Sequence, residues 1–500
     1  MAPSVFDPEL ESITVAETEL CDVDGEAGEL IVRGYPIEEL AANAGYEESL
    51  FLLLEGRLPT PDELEEFRAA LSARRAIPAV VDDLLCEAAR ADGSPMDAVR
   101  MGVAAAALEA AEATPNESGI PETDAPIATE PVRRTVCRLV AVVPTVVAAY
   151  WRYRQGEEPL EPRSDLNHAA NYLYLLTGEE PTPAEVRGLE TFFVTALEHG
   201  LNPSTFTART VVSTDSDLVS AITAAVGSFK GTRHGGTLDS VFATLREVHD
   251  TGNGERYVRE RLEAGERLEG FGHRIYRVRD PRAAVLAAAA ERFYERARED
   301  DLLESIREFE TVAETVLSER MPTRDVRATV EFYAAALLHG VGVPPALFTA
   351  TFAASRVGGW CAHCLEQRAN NGLVRPTARY VGATERSWIP LDERFVAGDD
   401  LVRTPARSSL EPVSETLSVL SEPNRLQILL ALAERDEPIA YSTLRASVSA
   451  EDKGQFNYHL RQLREYFVAN REEGYELTDA GRTVVDAVLT EDRLLEDVLE

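Results

Sequence analysis

Apolar and polar residues alternate along residues 13–33, ITVAETELCDVDGEAGELIVR, around an Asp-Gly pair and further glycines. This alternation with intervening turn residues is typical of a small β-hairpin. After Gly34 and up to residue 370 the apolar positions recur with helical spacing, as in YEESLFLLLEG and PDELEEFRAALSAR. A stretch rich in proline and acidic residues, 114–131, predicts a loop between helices. The pattern therefore predicts a mainly α domain with β-structure only at its start.

The helical pattern relaxes over 383–410, which ends in a segment with the composition of a linker. Beyond it we predict helices in LSVLSEPNRLQILLALAE, YSTLRASV and KGQFNYHLRQLREYF, then a hairpin that turns at Glu-Glu-Gly and a last helix in DAGRTVVDAVL. Three helices and a β-hairpin at this spacing are typical of a winged helix-turn-helix. We predict a large domain over 1–395, a linker over 396–410 and a winged helix domain over 411–500.

The charge of the chain is strongly negative: 86 acidic residues face 50 basic ones, for a net charge of −36. Lys230 and Lys453 are the two lysines, and the other basic residues are arginines. An acidic, lysine-poor surface keeps a protein soluble where salt screens ordinary repulsion, so we expect a salt-rich, archaeal cytoplasm. An acidic protein that lost lysine by chance is the alternative. The amino terminus has no signal-peptide pattern and no stretch approaches a membrane span, so we expect a soluble intracellular protein.

The cysteines do not suggest a disulfide framework, because there are five of them and only Cys361 and Cys364 are closely spaced. In isolation Cys-Ala-His-Cys resembles a redox or zinc motif. It lies in the helical stretch WCAHCLEQ, however, and no second CxxC completes a zinc site. We therefore predict a packed helix face there, and no metal or cofactor.

Candidate chemistry concentrates in GFGHRIYRVRDPR, residues 270–282, where His273 stands between a glycine pair and four arginines. The histidine can transfer a proton, the glycines let a ligand approach the backbone closely, and the arginines supply positive charge. All three properties could serve one ligand. A nucleotide loop is a weaker interpretation, because the third glycine and a preceding strand are missing.

Seven segments, in the same order, resemble the citrate synthase family in its archaeal and bacterial dimer form, which includes 2-methylcitrate synthases. They are TELCDVDGEAGELIVRGYPIEEL, EHGLNPSTFTAR, GTRHGGTLDSV, GFGHRIYRVRDPRA, FAASRVGGW, LVRPTARYVG and RSWIPLDER. The resemblance covers about the first 395 residues. It implies the fold of that family, with a large and a small helical domain and a short amino-terminal hairpin, in a homodimer.

The resemblance also implies the reaction: condensation of a coenzyme A thioester with oxaloacetate, and no further cofactor. His234 then matches the histidine that stabilises the enolate oxygen, and His273 the one that faces the ketone. The enolate must be stabilised as it forms, because the thioester methyl group is only weakly acidic.

The oxo-acid ligands implied by the resemblance are His199 and three arginines, whose planar forks suit carboxylates. The arginines are Arg282, Arg356 and Arg375, the last reaching across the dimer. Arg277 is a further candidate, for the phosphates of coenzyme A. For the remaining histidines we predict structural roles: His168, His249, His339, His363 and His459.

The chain departs from the family at the position of the proton-abstracting aspartate, where ATVEFYAAALL places Glu331. Glutamate keeps the carboxylate and extends it by one methylene, about 1.5 Å. Asp325 is the other candidate, but no aromatic pair follows it as Phe332 and Tyr333 follow Glu331. A second departure surrounds His234, where the family has other residues than Arg233, Thr237 and Leu238.

The carboxyl-terminal segment resembles ArsR-type winged helix domains. Its recognition helix would present side chains suited to base edges: Lys453, Gln455, Asn457, His459, Arg461 and Gln462. Residues 409–500 nevertheless hold 9 basic and 19 acidic side chains, a net charge of −10, whereas DNA binding normally depends on phosphate neutralisation. DNA binding and a contact between proteins are both open here.

Together these observations predict a citrate synthase-type acyltransferase of the tricarboxylic acid cycle, acting on acetyl-CoA or propionyl-CoA and oxaloacetate. Glu331 would be its base, with His234 and His273 as its partners. The alternative is a metabolite sensor that kept the dicarboxylate pocket, lost efficient catalysis and regulates transcription through the winged helix.

Overall fold

The computed structural model of the chain divides into two units, Met1–Ala378 and Arg379–Glu500. The residues that it describes are 6–10, 13–106, 130–273, 275–297, 300–321, 326–384, 388, 419–435, 437–448, 453–464, 466–471 and 474–485. The predicted linker at 396–410 lies outside them, and so does the boundary at 395, so these limits stay predictions.

Unit 1 begins with an antiparallel sheet of three short strands, β1 (Cys21–Asp24), β2 (Glu29–Val32) and β3 (Tyr35–Pro36). Cys21 pairs with Val32 and Asp24 with Glu29, which confirms the hairpin at its carboxyl-terminal part. The predicted start at residue 13 was wrong, because residues 13–20 form no strand.

Helices make up the rest of unit 1, as the spacing of apolar residues predicts. The first half contains α1 (Ile37–Asn43), α2 (Tyr46–Glu55), α3 (Pro61–Ser72), α4 (Ala79–Arg90), α5 (Pro95–Ala105), α6 (Glu130–Gln155), α7 (His168–Thr177) and α8 (Pro183–Leu197). The second half contains α9 (Pro203–Val212), α10 (Leu218–Phe229), α11 (Leu238–Thr251), α12 (Gly254–Glu263), α13 (Pro281–Ala297), α14 (Asp300–Arg320), α15 (Val330–Gly340) and α16 (Phe348–Ala369). Residues 107–129, most of the predicted loop, are not described, and its last two residues already belong to α6.

The helix α16 forms the centre of unit 1, since every residue from Phe348 to Leu365 is buried. Its glycines allow a close approach to α8 and α2: a Cβ on Gly359 would lie 2.2 Å from the Leu197 carbonyl oxygen, and one on Gly358 would lie 2.7 Å from Leu50. This contact brings Arg356, on α16, to the end of α8, where His199 follows. Cys361 and Cys364 lie buried in the same helix as free thiols, as the packed-face prediction has it.

Unit 2 has its own apolar core, which includes Ile428, Leu444, Phe456, Leu463 and Phe467. Its elements follow the predicted order: α17 (Pro423–Ala433), α18 (Tyr441–Ala446), α19 (Lys453–Leu463), β4 (Val468–Arg471), β5 (Gly474–Leu477) and α20 (Asp479–Val484). The backbone of Ile439 adds a third strand position to the hairpin, donating to the Tyr475 carbonyl over 2.8 Å and accepting from the Tyr475 N–H over 2.9 Å.

Across these described ranges, we find no helix long and apolar enough to cross a membrane.

Candidate active site

The loop that carries His273 is paired with the segment that leads into Glu331. The Thr329 N–H donates to the Gly270 carbonyl over 2.9 Å, and the Gly272 N–H donates to the Arg327 carbonyl over 2.9 Å. Gly270 and Gly272 both have positive φ, +81° and +78°, a conformation that side chains other than glycine rarely adopt. This two-sided pairing fixes His273 and Glu331 relative to each other.

His273 is held by the backbone that follows it. Its Nδ1 accepts the N–H groups of Ile275 and Tyr276, each over 3.1 Å. Because Nδ1 accepts, the single proton of the neutral ring lies on Nε2. Burial and the charge of Arg282 lower the pKa of His273, although Asp280 and Glu331 oppose them. The ring is therefore neutral near pH 7 and offers an Nε2–H to a ligand.

His234 lies in the turn between α10 and α11, against Phe229 at a ring distance of 5.0 Å. Its Nε2 accepts the Ser204 N–H over 3.3 Å and lies 2.8 Å from the Ser204 hydroxyl. The proton of the ring is accordingly on Nδ1. Burial, with Arg356 adding to it, lowers the pKa of His234 to about 4. This ring too is a neutral donor at physiological pH.

His199 follows the end of α8 and packs edge-on to His273, with their ring centres 5.6 Å apart. Its Nε2 lies 3.2 Å from the Tyr276 hydroxyl. Burial lowers the pKa of His199 well below its usual range, and the surrounding Arg282, His273, Arg356 and His234 add to the effect. The interactions with these four residues place the predicted groups in one cluster.

Two buried arginines supply the positive charge of this cluster. Arg282 donates through Nε and Nη2 to Asp280, over 3.1 and 2.7 Å. Burial alone would lower the pKa of Arg282, but Asp280 outweighs it and the pKa is raised. Arg356 donates through Nε to the Ala196 carbonyl and lies over the ring of Phe352. Within the described part of the chain, no residue accepts from its two terminal nitrogens.

Glu331 lies in the first turn of α15, where the helix dipole favours a carboxylate. The negative charge of Glu331 acts to raise the pKa values of His273, Arg282 and Arg356. Among the residues that the structure describes, none forms a hydrogen bond or ion pair with Glu331. Within the described ranges the carboxylate is therefore available near the cluster, as a base requires. Asp325 lies outside the described residues.

Two of the predicted ligands are not part of this cluster in the single chain. Arg375 is exposed and belongs to the segment that follows α16. Arg277 is exposed as well, and its backbone N–H donates to the Gly25 carbonyl over 2.8 Å, which ties the loop to the hairpin. Of the residues that depart from the family around His234, Arg233 is exposed and Leu238 is buried.

Sequence reasoning missed several residues that shape the site. Asp280 could have been found, because an aspartate before Pro281 at the start of a helix is a capping pattern, and its Oδ1 accepts the Arg282 N–H over 2.9 Å. Tyr276 and Ser204 gave no such signal, since their contacts with His199 and His234 join segments far apart in sequence. The five histidines interpreted as structural contact other residues: His168 stacks on Tyr46, His249 lies 2.9 Å from the Ser305 hydroxyl, His339 packs against Phe242, His363 lies 2.9 Å from Glu198, and His459 accepts from Arg425.

In unit 2 the exposed face of α19 carries Gln455, Asn457 and Arg461, and the Tyr441 hydroxyl donates to Asn457 over 2.5 Å. The side chain of Lys453 is not described. Including His459 in this face was wrong: it is buried, and its Nδ1 accepts from Arg425 over 3.3 Å. Arg425 is buried as well, and its hydrogen bond to His459 holds the imidazole on the inward side of α19.

Buried histidines and arginines beside a carboxylate, in a mainly helical unit, are typical of an enzyme site for an anionic ligand, and comparison of sequences gives the family of the chain. Residues 9–377 match the family model "Citrate synthase, C-terminal domain", so the chain belongs to the citrate synthase family. A citrate synthase of Haloferax volcanii is 41% identical over 386 residues, covering 77% of this chain and 98% of that protein. A 2-methylcitrate synthase of Shewanella oneidensis is 32% identical, covering 76% and 96%. Residues 413–488 match a domain of unknown function, DUF7347.

Solved structures give the same result. Citrate synthase from Pyrobaculum aerophilum is 34% identical with a TM-score of 0.68, covering 77% of this chain and 94% of that one. Citrate synthase from Thermoplasma acidophilum, solved with carboxymethyl coenzyme A and oxaloacetate, is 28% identical with a TM-score of 0.69, covering 77% and 98%.

Replacing Tyr276 by phenylalanine removes the hydroxyl at His199 and keeps the ring. We expect the Kd for oxaloacetate, the oxo-acid that the family resemblance implies, to rise about three- to tenfold, because one buried hydrogen bond is lost. Isothermal titration calorimetry measures this Kd in the variant and in the wild type. Tyr257→Phe is the control, since that hydroxyl contacts Thr244 and no residue of the cluster. An unchanged Kd for Tyr276→Phe would remove Tyr276 from the site.

Proposed function

We propose that the protein condenses acetyl-CoA, or propionyl-CoA, with oxaloacetate and water to give citrate, or 2-methylcitrate, and free coenzyme A. The observation that carries this proposal is the pair of neutral histidines, His234 and His273, each held at one ring nitrogen and free to donate at the other. Glu331, a carboxylate with no hydrogen bond or ion pair to any described residue, accompanies them. The names of the relatives, which are citrate and 2-methylcitrate synthases, support the same reaction.

In this mechanism the carboxylates of oxaloacetate bind Arg356, Arg282 and His199. Glu331 removes a proton from the thioester methyl group, while the Nδ1–H of His234 donates to the thioester oxygen and stabilises the enol. The enol carbon attacks the ketone carbon, and the ketone oxygen takes the proton of His273 Nε2. That nitrogen regains a proton from solvent, and Glu331 releases the methyl proton to solvent, so both groups return to their starting state. Water then cleaves the thioester, releasing coenzyme A.

The neutral state of both histidines suits this chemistry. A neutral imidazole donates a hydrogen bond without adding a third charge beside Arg282 and Arg356. The lowered pKa values follow from burial and from those arginines, so the pocket that binds the dianion also sets the protonation of its donors. The metabolite sensor of weakened activity is not favoured, since the relatives are named as synthases.

The first test is coenzyme A release that requires both substrates, followed as free thiol in multimolar KCl. We expect Glu331→Gln to lower kcat about 10²- to 10⁴-fold, because an amide cannot take the methyl proton. Glu319→Gln, at an exposed position of α14, should leave kcat unchanged. Release by Glu331→Gln at the wild-type rate would exclude Glu331 as the base.

Glu331→Asp tests the reach of the base. We expect a loss of about a hundredfold, because the carboxylate retreats by roughly 1.5 Å from a site built around glutamate. A variant faster than the wild type would show instead that the longer side chain weakens catalysis, and would restore the sensor hypothesis.

We also propose that the protein is a homodimer in which Arg375 completes the pocket of the other subunit. The support is the segment around Arg375, which leaves Leu373, Tyr380 and Val381 between 64% and 73% exposed in the single chain. Apolar side chains at such exposure are typical of a surface covered by a partner.

Two inactive variants test this arrangement by complementation. Arg375→Ala and His273→Ala should each be inactive, whereas an equal mixture, after subunit exchange, should regain about a quarter of wild-type activity. Half of the dimers are then mixed, and each mixed dimer has one intact site. A mixture as inactive as its components would show that Arg375 serves its own subunit or none.

For unit 2 we propose a winged helix that binds DNA through α19, with β4 and β5 as the wing. The supporting observation is the exposed polar face of α19, with two amides and Arg461, in a unit whose other charge is mostly negative. Amide and guanidinium groups are suited to base edges, and high salt reduces the gain from phosphate contacts.

Fluorescence anisotropy with random-sequence duplex DNA, at several KCl concentrations, tests this proposal. We expect Arg461→Ala to weaken binding about tenfold. Arg482→Ala, at an exposed position of α20, is the control. No binding by the wild type, or an Arg461→Ala variant that binds equally well, would favour a contact between proteins instead.

We further propose that the protein works in a salt-rich, archaeal cytoplasm. Its net charge of −36 and its two lysines support this, as does the likeness to a protein of Haloferax volcanii.

A further inference from the structure

A chain of buried polar groups runs beside the oxo-acid pocket. Glu366 accepts from Arg209 Nη1 over 2.7 Å, and the same nitrogen lies 3.0 Å from His363 Nδ1. His363 Nε2 lies 2.9 Å from Glu198 Oε1. Glu198 immediately precedes His199. The chain therefore connects the end of α16 with the residue that introduces an oxo-acid ligand.

The direction of the hydrogen bonds follows from Arg209, which can only donate. His363 Nδ1 must accept, so its proton lies on Nε2 and is donated to Glu198. Burial opposes a charge on Glu198, but His363 and Arg356 outweigh it, and the pKa of Glu198 is lowered. Glu198 is therefore an anion, although its side chain is only about 1% exposed.

One oxygen of Glu198 holds the backbone around His199. Its Oε1 accepts the Gly200 N–H over 2.6 Å and the Cys21 thiol over 3.3 Å, in addition to His363. Gly200 has φ +63°, so the chain turns sharply there. Because residues 198 and 200 are joined across His199, the carboxylate sets the direction in which this histidine leaves the backbone.

The other oxygen, Oε2, is buried and has no hydrogen-bond partner in the described part of the chain. Gly359 leaves room for it, since a Cβ there would lie 2.8 Å from Oε2. The negative charge of Glu198 favours the charged form of Arg356 and so opposes the lowering of its pKa by burial. Arg282 differs: Asp280 binds its Nε and Nη2, whereas Glu198 offsets the charge of Arg356, whose terminal nitrogens have no acceptor among the described residues.

From this geometry we propose that Glu198 is a positioning residue of the oxo-acid pocket, acting through Arg356 and His199. It fixes the turn at His199, and it supplies a counter-charge that keeps the Arg356 fork available to a substrate carboxylate. The inference rests on the proposed function, since it concerns how oxaloacetate is held.

The test replaces Glu198 by glutamine, which keeps the shape and removes the charge. We expect the KM and the Kd for oxaloacetate to rise at least about tenfold, with the KM for the acyl-CoA changed less than about threefold. A general loss of structure would raise both KM values. Glu47→Gln is a matched control: Glu47 is also about 1% exposed and also has one unpaired oxygen, but it accepts from His168 and not from the pocket.

Calorimetry with oxaloacetate separates the two proposals. If the wild type binds oxaloacetate but releases no coenzyme A, the proposed function fails while the Kd of Glu198→Gln still tests this inference. An unchanged Kd and KM in Glu198→Gln would overturn the inference, and so would a wild type that does not bind oxaloacetate.

Should Glu198→Gln not fold, His363→Gln is measured in the same way. That variant leaves the carboxylate in place and removes the imidazole between it and Arg209. We expect the Kd for oxaloacetate to rise at least about threefold, and an unchanged value would overturn the proposal.

Discussion

Two guanidinium groups buried in an apolar helical core are the constraint on which the site depends. A buried charge is costly unless a counter-charge or hydrogen bonds accompany it. Each of the two arginines has an acidic residue as its counter-charge, but the two pairs differ in geometry. Asp280 accepts two hydrogen bonds from Arg282. Glu198 offsets the charge of Arg356, and no hydrogen bond joins these two described residues. His234 and His273 stay neutral beside the remaining positive charge, which is the state that their proposed role as donors requires.

The residues of the cluster could be named from the sequence because the segments that hold them resemble the citrate synthase family, and the structure places these residues near one another. His199, His234, His273, Arg282 and Arg356 could be named from such segments. The residues that orient them could not. Ser204, Tyr276 and Glu198 lie in the same segments, but their contacts join positions 30 to 165 apart in the sequence.

The fold was predictable where amphipathic spacing is strong and less so at its edges. The helices and the hairpin of unit 2 follow the apolar pattern closely. The amino-terminal hairpin begins later than its alternation suggests, since alternation alone does not supply a partner strand for residues 13–20. Likewise, helical spacing alone could not tell that His459 points inward, because the answer depends on Arg425, more than thirty residues earlier.

Backbone pairing between residues 270–272 and 327–329 has a mechanical consequence. His273 and Glu331 each follow one of the two segments that an isolated β-bridge, Phe271 with Ala328, joins. Any rotation of that piece of the protein carries both groups along together, so their mutual spacing survives the movement. What such a rotation changes is their distance to His234, which is anchored on α9 through Ser204.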